Sequence, residues 1–140
     1  MFQRLNIALG LLVLAAAFAI AQSGRTVQVE INYTGSGTVD ANHKLYVALW
    51  DSPDFNGNPT DVKALESKHG TVTFTGIQKS PVFVSTAYDP NGKWDAQSPP
   101  PSGSSIGMYS TKPPTPEPIA VEPGKTAKVK LAFNDAQKVQ

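Results

Sequence analysis

From Arg25 onward the chain alternates apolar and polar residues in short runs, each closed by turn formers. In Arg25–Thr34, Val27, Val29, Ile31 and Tyr33 fall on one face, with Gln28, Glu30 and Asn32 on the other. Successive side chains of a strand point to opposite faces, so this period of two predicts a half-buried strand. His43–Asp51 also alternates, but both of its faces are apolar: Leu45, Val47 and Leu49 against Tyr46, Ala48 and Trp50. Val82–Asp89 has the same double character. Both strands are therefore predicted to be central, with much of each face covered. Gly70–Ile77 sets Val72 and Phe74 inward and its threonines outward. Thr126–Phe133 sets Ala127, Val129, Leu131 and Phe133 inward, with Lys128 and Lys130 outward. Asp61–Lys68 fits either a helical turn or a short edge strand, and Ser104–Thr111 a short edge strand around Ile106, Met108 and Tyr109. No segment carries a helical period and no internal repeat is visible. The pattern predicts an all-β domain, an antiparallel β-sandwich of about seven strands.

The first 21 residues stand outside that pattern. Met1–Asn6 carries one positive charge, at Arg4, and Ile7–Ile20 is an almost unbroken apolar run. Ala19-Ile20-Ala21 then supplies a small-x-small cleavage pattern. The run is short for a transmembrane span. Residues 1–21 are thus predicted to be a signal-peptide helix cut after Ala21, leaving 22–140 as a single domain that is periplasmic or secreted and not membrane-bound.

Composition narrows the partners. The chain has no cysteine, so neither a disulfide framework nor a lipid on cysteine is available. Twelve basic residues, Arg4 among them, face eleven acidic ones, so the cleaved chain has no net charge with both histidines neutral. A neutral domain without a basic stripe is not expected to bind nucleic acid. Seven of the twelve prolines lie between Pro99 and Pro118, which predicts a Pro-rich crossover over about 96–118.

Candidate chemistry gathers in two loops. Asp89-Pro90-Asn91-Gly92 fits a type I turn position by position. Asp89, the Asn91 carbonyl and Asp95 are hard oxygens of the kind that hold Ca²⁺, with Asp51 or Asp54 as further ligands from a neighbouring loop. The plainer reading of the same residues is an Asp89 that caps the turn and a solvated Asp95. The 51–60 loop adds Phe55, and the 89–103 loop adds Trp94. A Trp beside carboxylates and amides suits stacking on a sugar or peptide.

Two stretches, G-T-V-T-F-T-G-I-x₄-V-F-V-S-T-A-Y-D at 70–89 and P-I-A-V-E-P-G-K-T-A-K-V-K-L at 118–131, resemble the transthyretin-like (prealbumin-like) sandwiches of uncharacterised secreted bacterial proteins. V-A-L-W-D-S at 47–52 adds to the likeness. The resemblance implies a transthyretin-like or immunoglobulin-like sandwich over 25–135 and brings no known activity with it. The similar loop in that family reads H-D-x-N-G-N-G-K-x-D, whereas this chain has Y-D-P-N-G-K-W-D, with Tyr88 in the histidine's place.

With only His43 and His69 and no cysteine, the raw material for catalysis is thin. The expected function is a non-catalytic binding or interaction module, with Trp94, Phe55, Asp51 and Asp54 as ligand-binding residues and a protein, peptide or carbohydrate as partner. The alternative is an accessory structural domain with no ligand of its own, working through its sheet edges or whole surface, stabilised by Ca²⁺ at the 89–95 loop. Neither reading fixes an oligomeric state.

Overall fold

The computed structural model describes residues 24–140, so the expected signal-peptide helix and its cleavage site lie outside the described residues. Seven strands follow one another: β1 (Arg25–Tyr33), β2 (Leu45–Trp50), β3 (Asp61–Leu65), β4 (His69–Ile77), β5 (Phe83–Tyr88), β6 (Ser105–Met108) and β7 (Thr126–Phe133). They form a three-stranded sheet, β4-β1-β7, and a four-stranded sheet, β3-β2-β5-β6. No helix occurs among the described residues. The alternation in the sequence carries through: Val27, Val29 and Ile31 of β1 meet Leu45, Val47 and Leu49 of β2 and Val84 of β5 in one buried core between the sheets. The ambiguous 61–68 segment contributes an edge strand, and β6 forms within the predicted crossover.

One expectation is corrected. The sandwich is not wholly antiparallel, because β1 and β7 run parallel from Thr26 opposite Thr126 to Tyr33 opposite Phe133. Parallel neighbours need a long crossover. Here the Pro-rich segment carries the chain from the edge of one sheet to the other. It is fastened along β5: Val82 and Ile119 exchange backbone hydrogen bonds of 3.0 and 2.8 Å, and Tyr109 N donates to Val84 O at 2.9 Å. Arg25 Nε then ties the start of β1 to Val121 O at 2.8 Å.

The free edge of β6 is not left bare. Residues 137–139 lie along it, with Ile106 N donating to Gln137 O at 3.0 Å and Val139 N to Ser104 O at 3.0 Å. Covering an edge in this way removes a template for pairing with another chain.

Asp135 holds that C-terminal tail in place. Its carboxylate accepts from Tyr33 Oη at 2.5 Å, Ser105 Oγ at 2.7 Å and Ser36 N at 2.9 Å. The loop passes close overhead, and a Cβ on Gly35 would lie 2.3 Å from both Tyr33 Oη and Asp135 Oδ1. These donors, Tyr33 first, hold the Asp135 carboxyl well below the usual carboxylate range. Burial, and next the bond to Asp135, push the Tyr33 phenol up to about 12.

A carboxylate whose folded pKa is depressed adds stability above its unfolded value of about 3.9 and loses it as pH falls toward the folded value. Asp135→Asn should therefore cost about 1–3 kcal/mol at neutral pH. It should also flatten the loss of stability below about pH 4. Urea melts across pH test both, and an unchanged acid limb would remove Asp135 from this role.

Candidate functional site

In β2 the residues alternate with the core-facing Leu45, Val47 and Leu49, so Tyr46, Ala48 and Trp50 stand on the outer face of the four-stranded sheet. The register sets Ala87, Ser85 and Phe83 of β5 opposite them, in that order. Ile106 and Met108 of β6 continue these rows on one side, and Ala64 and Val62 of β3 on the other. The outer face is thus apolar nearly throughout, with Ser85 at its centre.

Each end of this face is walled by an aromatic side chain from a loop. Trp94 meets Tyr46 edge to face, with ring centroids 5.0 Å apart and planes at 77°. Phe55 packs on Trp50 at 5.6 Å and 58°. Trp50 leans across from β2 to β5, where its Nε1 donates to Ser85 Oγ at 2.8 Å. Trp94 Nε1 donates to Ser98 O at 2.8 Å. Both indole N–H groups are therefore satisfied within the chain, and the rings offer surface rather than donors. A hollow of about 120 Å³, lined in part by Asn42, Lys44, Tyr46, Asp89 and Trp94, adjoins the Trp94 end.

Asp89 builds that end. Its side chain is only 3 % exposed. One oxygen accepts from Asn91 N at 2.9 Å, and the other from Lys93 N and Trp94 N, both at 3.1 Å. Three backbone donors converging on one buried carboxylate fix the turn and set the position of Trp94. The loop packs against the 40–43 turn so closely that a Cβ on Gly92 would lie 2.4 Å from Asn42 O. There Asp40 Oδ1 meets His43 Nδ1 at 3.0 Å and accepts from Asn42 N at 2.9 Å. These contacts, His43 first, lower the Asp40 pKa.

The other expected site residues separate. Because β2 and β5 are antiparallel, the loops that follow them leave from opposite ends of the sheet. The 51–60 loop is therefore not a neighbour of the 89–95 loop, and Asp51 and Asp54 are not brought to Asp89. Asp51 lies 3.6 Å from Lys79 Nζ, and Asp54 accepts from Ser52 Oγ. Asn91 is exposed, and Asp95 Oδ1 accepts from Gln97 N at 3.0 Å. No group of three or more His, Asp or Glu side chains is placed to hold a metal ion among the described residues. His43 and His69 lie apart, the first in the 40–43 turn and the second opposite Asn32 in the other sheet. A second hollow, of about 220 Å³, is lined in part by Leu49, Asp51, Ile77 and Lys79.

Sequence reasoning picked out Trp94 and Phe55 but read Tyr46 and Trp50 only as residues of a central strand, which β2 is, and not as part of a site. The signal was present. A two-layer sandwich without a helix has no third layer to lay over an apolar outer face.

Asp89→Asn replaces one accepting oxygen by an NH₂ that faces backbone donors. It should destabilise the protein by about 1–3 kcal/mol. In a Trp50→Phe background, the emission of Trp94 should shift to the red as its ring loosens. Because both Asp89 oxygens are already engaged, the melting temperature should be the same in Ca²⁺ and EDTA. A Ca²⁺-dependent rise that Asp89→Asn abolishes would assign the loop to an ion instead.

No protein-family model matches the chain, and no curated protein matches it either.

Proposed function

We propose that this chain is a non-catalytic binding module, exported through residues 1–21 and cleaved after Ala21, that holds its ligand on the outer face of the four-stranded sheet. We further propose that the sandwich is transthyretin-like, since the two stretches that carry the resemblance build β4, β5 and the approach to β7. The observation that carries the functional reading is the pair of aromatic contacts, Trp94 on Tyr46 and Phe55 on Trp50, standing at the two ends of one apolar face. Half-buried apolar side chains gathered on one face and framed by polar loops suit a binding surface. The face is built on hydrogen-bonded strands, and Trp94 is fixed over it by Asp89 and Ser98. Little ordering cost is then left for the moment of binding.

Non-catalysis fits the side chains nearby. Asp89 is committed to backbone donors, His43 to Asp40, and Asp51 to Lys79. The accessory-domain alternative leans on sheet edges, and the β6 edge is already covered by residues 137–139.

The chain has two tryptophans, Trp50 and Trp94, and both stand on this face, so intrinsic fluorescence reports directly on it. Titration with polysaccharides, proline-rich peptides and envelope proteins should give a saturable change with one of these classes. Removing a stacking ring by analogy with aromatic–base contacts costs about 1–3 kcal/mol. Trp50→Ala/Trp94→Ala should thus weaken binding about tenfold or more. Lys128→Ala/Lys130→Ala, on the opposite sheet, should leave it unchanged. Binding that ignores the aromatic variants, or no binding by any class, would overturn the assignment of this face.

A further inference from the structure

Resting on the reading of this face as the binding surface, we propose that its ligand is a neutral, extended oligosaccharide, laid with its ring faces over Tyr46 and Trp50 between Trp94 and Phe55. Between the aromatic residues stand Ala48, Ala87, Val62, Ala64, Ile106 and Met108, none with a polar side-chain atom that forms strong hydrogen bonds, and Ser85, whose Oγ already accepts from Trp50 Nε1. The backbone groups beneath are spent on the sheet, and the two indole N–H groups are spent on Ser85 and Ser98. A peptide laid flat here would lose water from carbonyl and N–H groups and find few partners for them.

A pyranose ring with equatorial hydroxyls has a different distribution of polarity. Its hydroxyls point sideways into water, and its two faces carry C–H bonds. Those hydrogens are weakly positive, and they meet the negative face of an aromatic ring favourably. Only the apolar faces need be desolvated. The polar hollow beside Trp94, with Asn42 and Lys44 on its wall, can accept the hydroxyls of a ring at one end.

Dimensions and charge agree. Trp50 follows Tyr46 at the fourth position along the strand, roughly 13 Å on at about 3.3 Å per residue, which is the length of a short oligosaccharide segment. Four strands about 4.8 Å apart make the face roughly 14 Å wide. Its plan area is about 180 Å², well short of the roughly 800 Å² per partner of a stable protein interface, so a second copy of this chain does not suit it. The cleaved chain's lack of net charge offers nothing to a polyanion.

The test uses residues 22–140 titrated with β-linked glucose and N-acetylglucosamine oligosaccharides of increasing length, followed by tryptophan emission and calorimetry. Affinity should rise with length and then level off once the face is spanned, and salt should have little effect. Trp50→Ala should weaken binding about tenfold or more. Trp94→Ala, on a surface loop, should also weaken it with an unchanged circular dichroism spectrum, and Lys44→Ala should do so to a smaller degree. If no oligosaccharide binds but a proline-rich peptide does so through Trp50 and Trp94, the ligand class is overturned while the binding surface stands. A concentration-dependent dimer broken by Trp50→Ala would overturn it in favour of a second copy. If nothing binds through these residues, the surface assignment falls as well.

Discussion

The carboxylate of Asp135 accepts hydrogen bonds from Tyr33 at the end of β1, from Ser36 in the loop that follows, and from Ser105 at the start of β6. It stands just beyond the end of β7. One side chain therefore joins the last strand to the first within one sheet and to an edge strand of the other. The aromatic cluster beneath it joins β1 and β7 to β5. Tyr33 packs on Phe133 at 4.8 Å and on Tyr88 at 5.1 Å, and Tyr88 Oη donates to Thr38 O at 2.6 Å. Removing the carboxylate would leave a buried phenol and a buried hydroxyl without their partner, which is why a single polar residue matters at the margin of a core built from aliphatic and aromatic side chains.

Closure at that end has a consequence at the other surface. The chain fills two layers and spends its remaining length on connections, so each sheet keeps one face toward solvent. The β4-β1-β7 sheet presents Thr71, Thr73, Gln28, Glu30, Lys128 and Lys130, a set that water solvates readily. The four-stranded sheet presents Tyr46, Trp50, Phe83 and Met108 instead. Of these Phe83 is only 8 % exposed, while Tyr46, Trp50 and Met108 are half-buried. This asymmetry between two faces of one small domain is hard to explain by packing alone, and it is the reason to look for a ligand on one face and not on the other.

Much of this was legible in the chain. The alternation in Arg25–Thr34 and Thr126–Phe133 located two strands and their inward residues, and the double apolar character of Val82–Asp89 placed β5 in the middle of a sheet. The direction in which β7 enters was not legible, because side-chain alternation is the same for a parallel and an antiparallel partner. Nor did loop composition show which loops share an end of the sandwich. Asp51 and Asp89 each follow an apolar strand, yet the antiparallel pairing of those strands carries the two residues apart. The same double apolar character placed β2, with Tyr46 and Trp50, inside its sheet, but period-two hydrophobicity reports that a face is apolar and not what covers it.

Asp89 shows how the turn and the surface are connected. Asp-Pro-Asn-Gly needs a carboxylate only to satisfy local backbone donors, and many side chains would make an adequate turn. Here the same carboxylate reaches as far as the N–H of Trp94, five residues on, and Trp94 in turn stands against Tyr46. The rigidity of the turn is thereby transmitted to the wall of the aromatic face. A ring held in place before its ligand arrives loses less freedom on contact than one on a loose loop, so a small face with few polar groups can still bind usefully. On the proposed reading of this face, the positions that tune affinity include one that never touches the ligand.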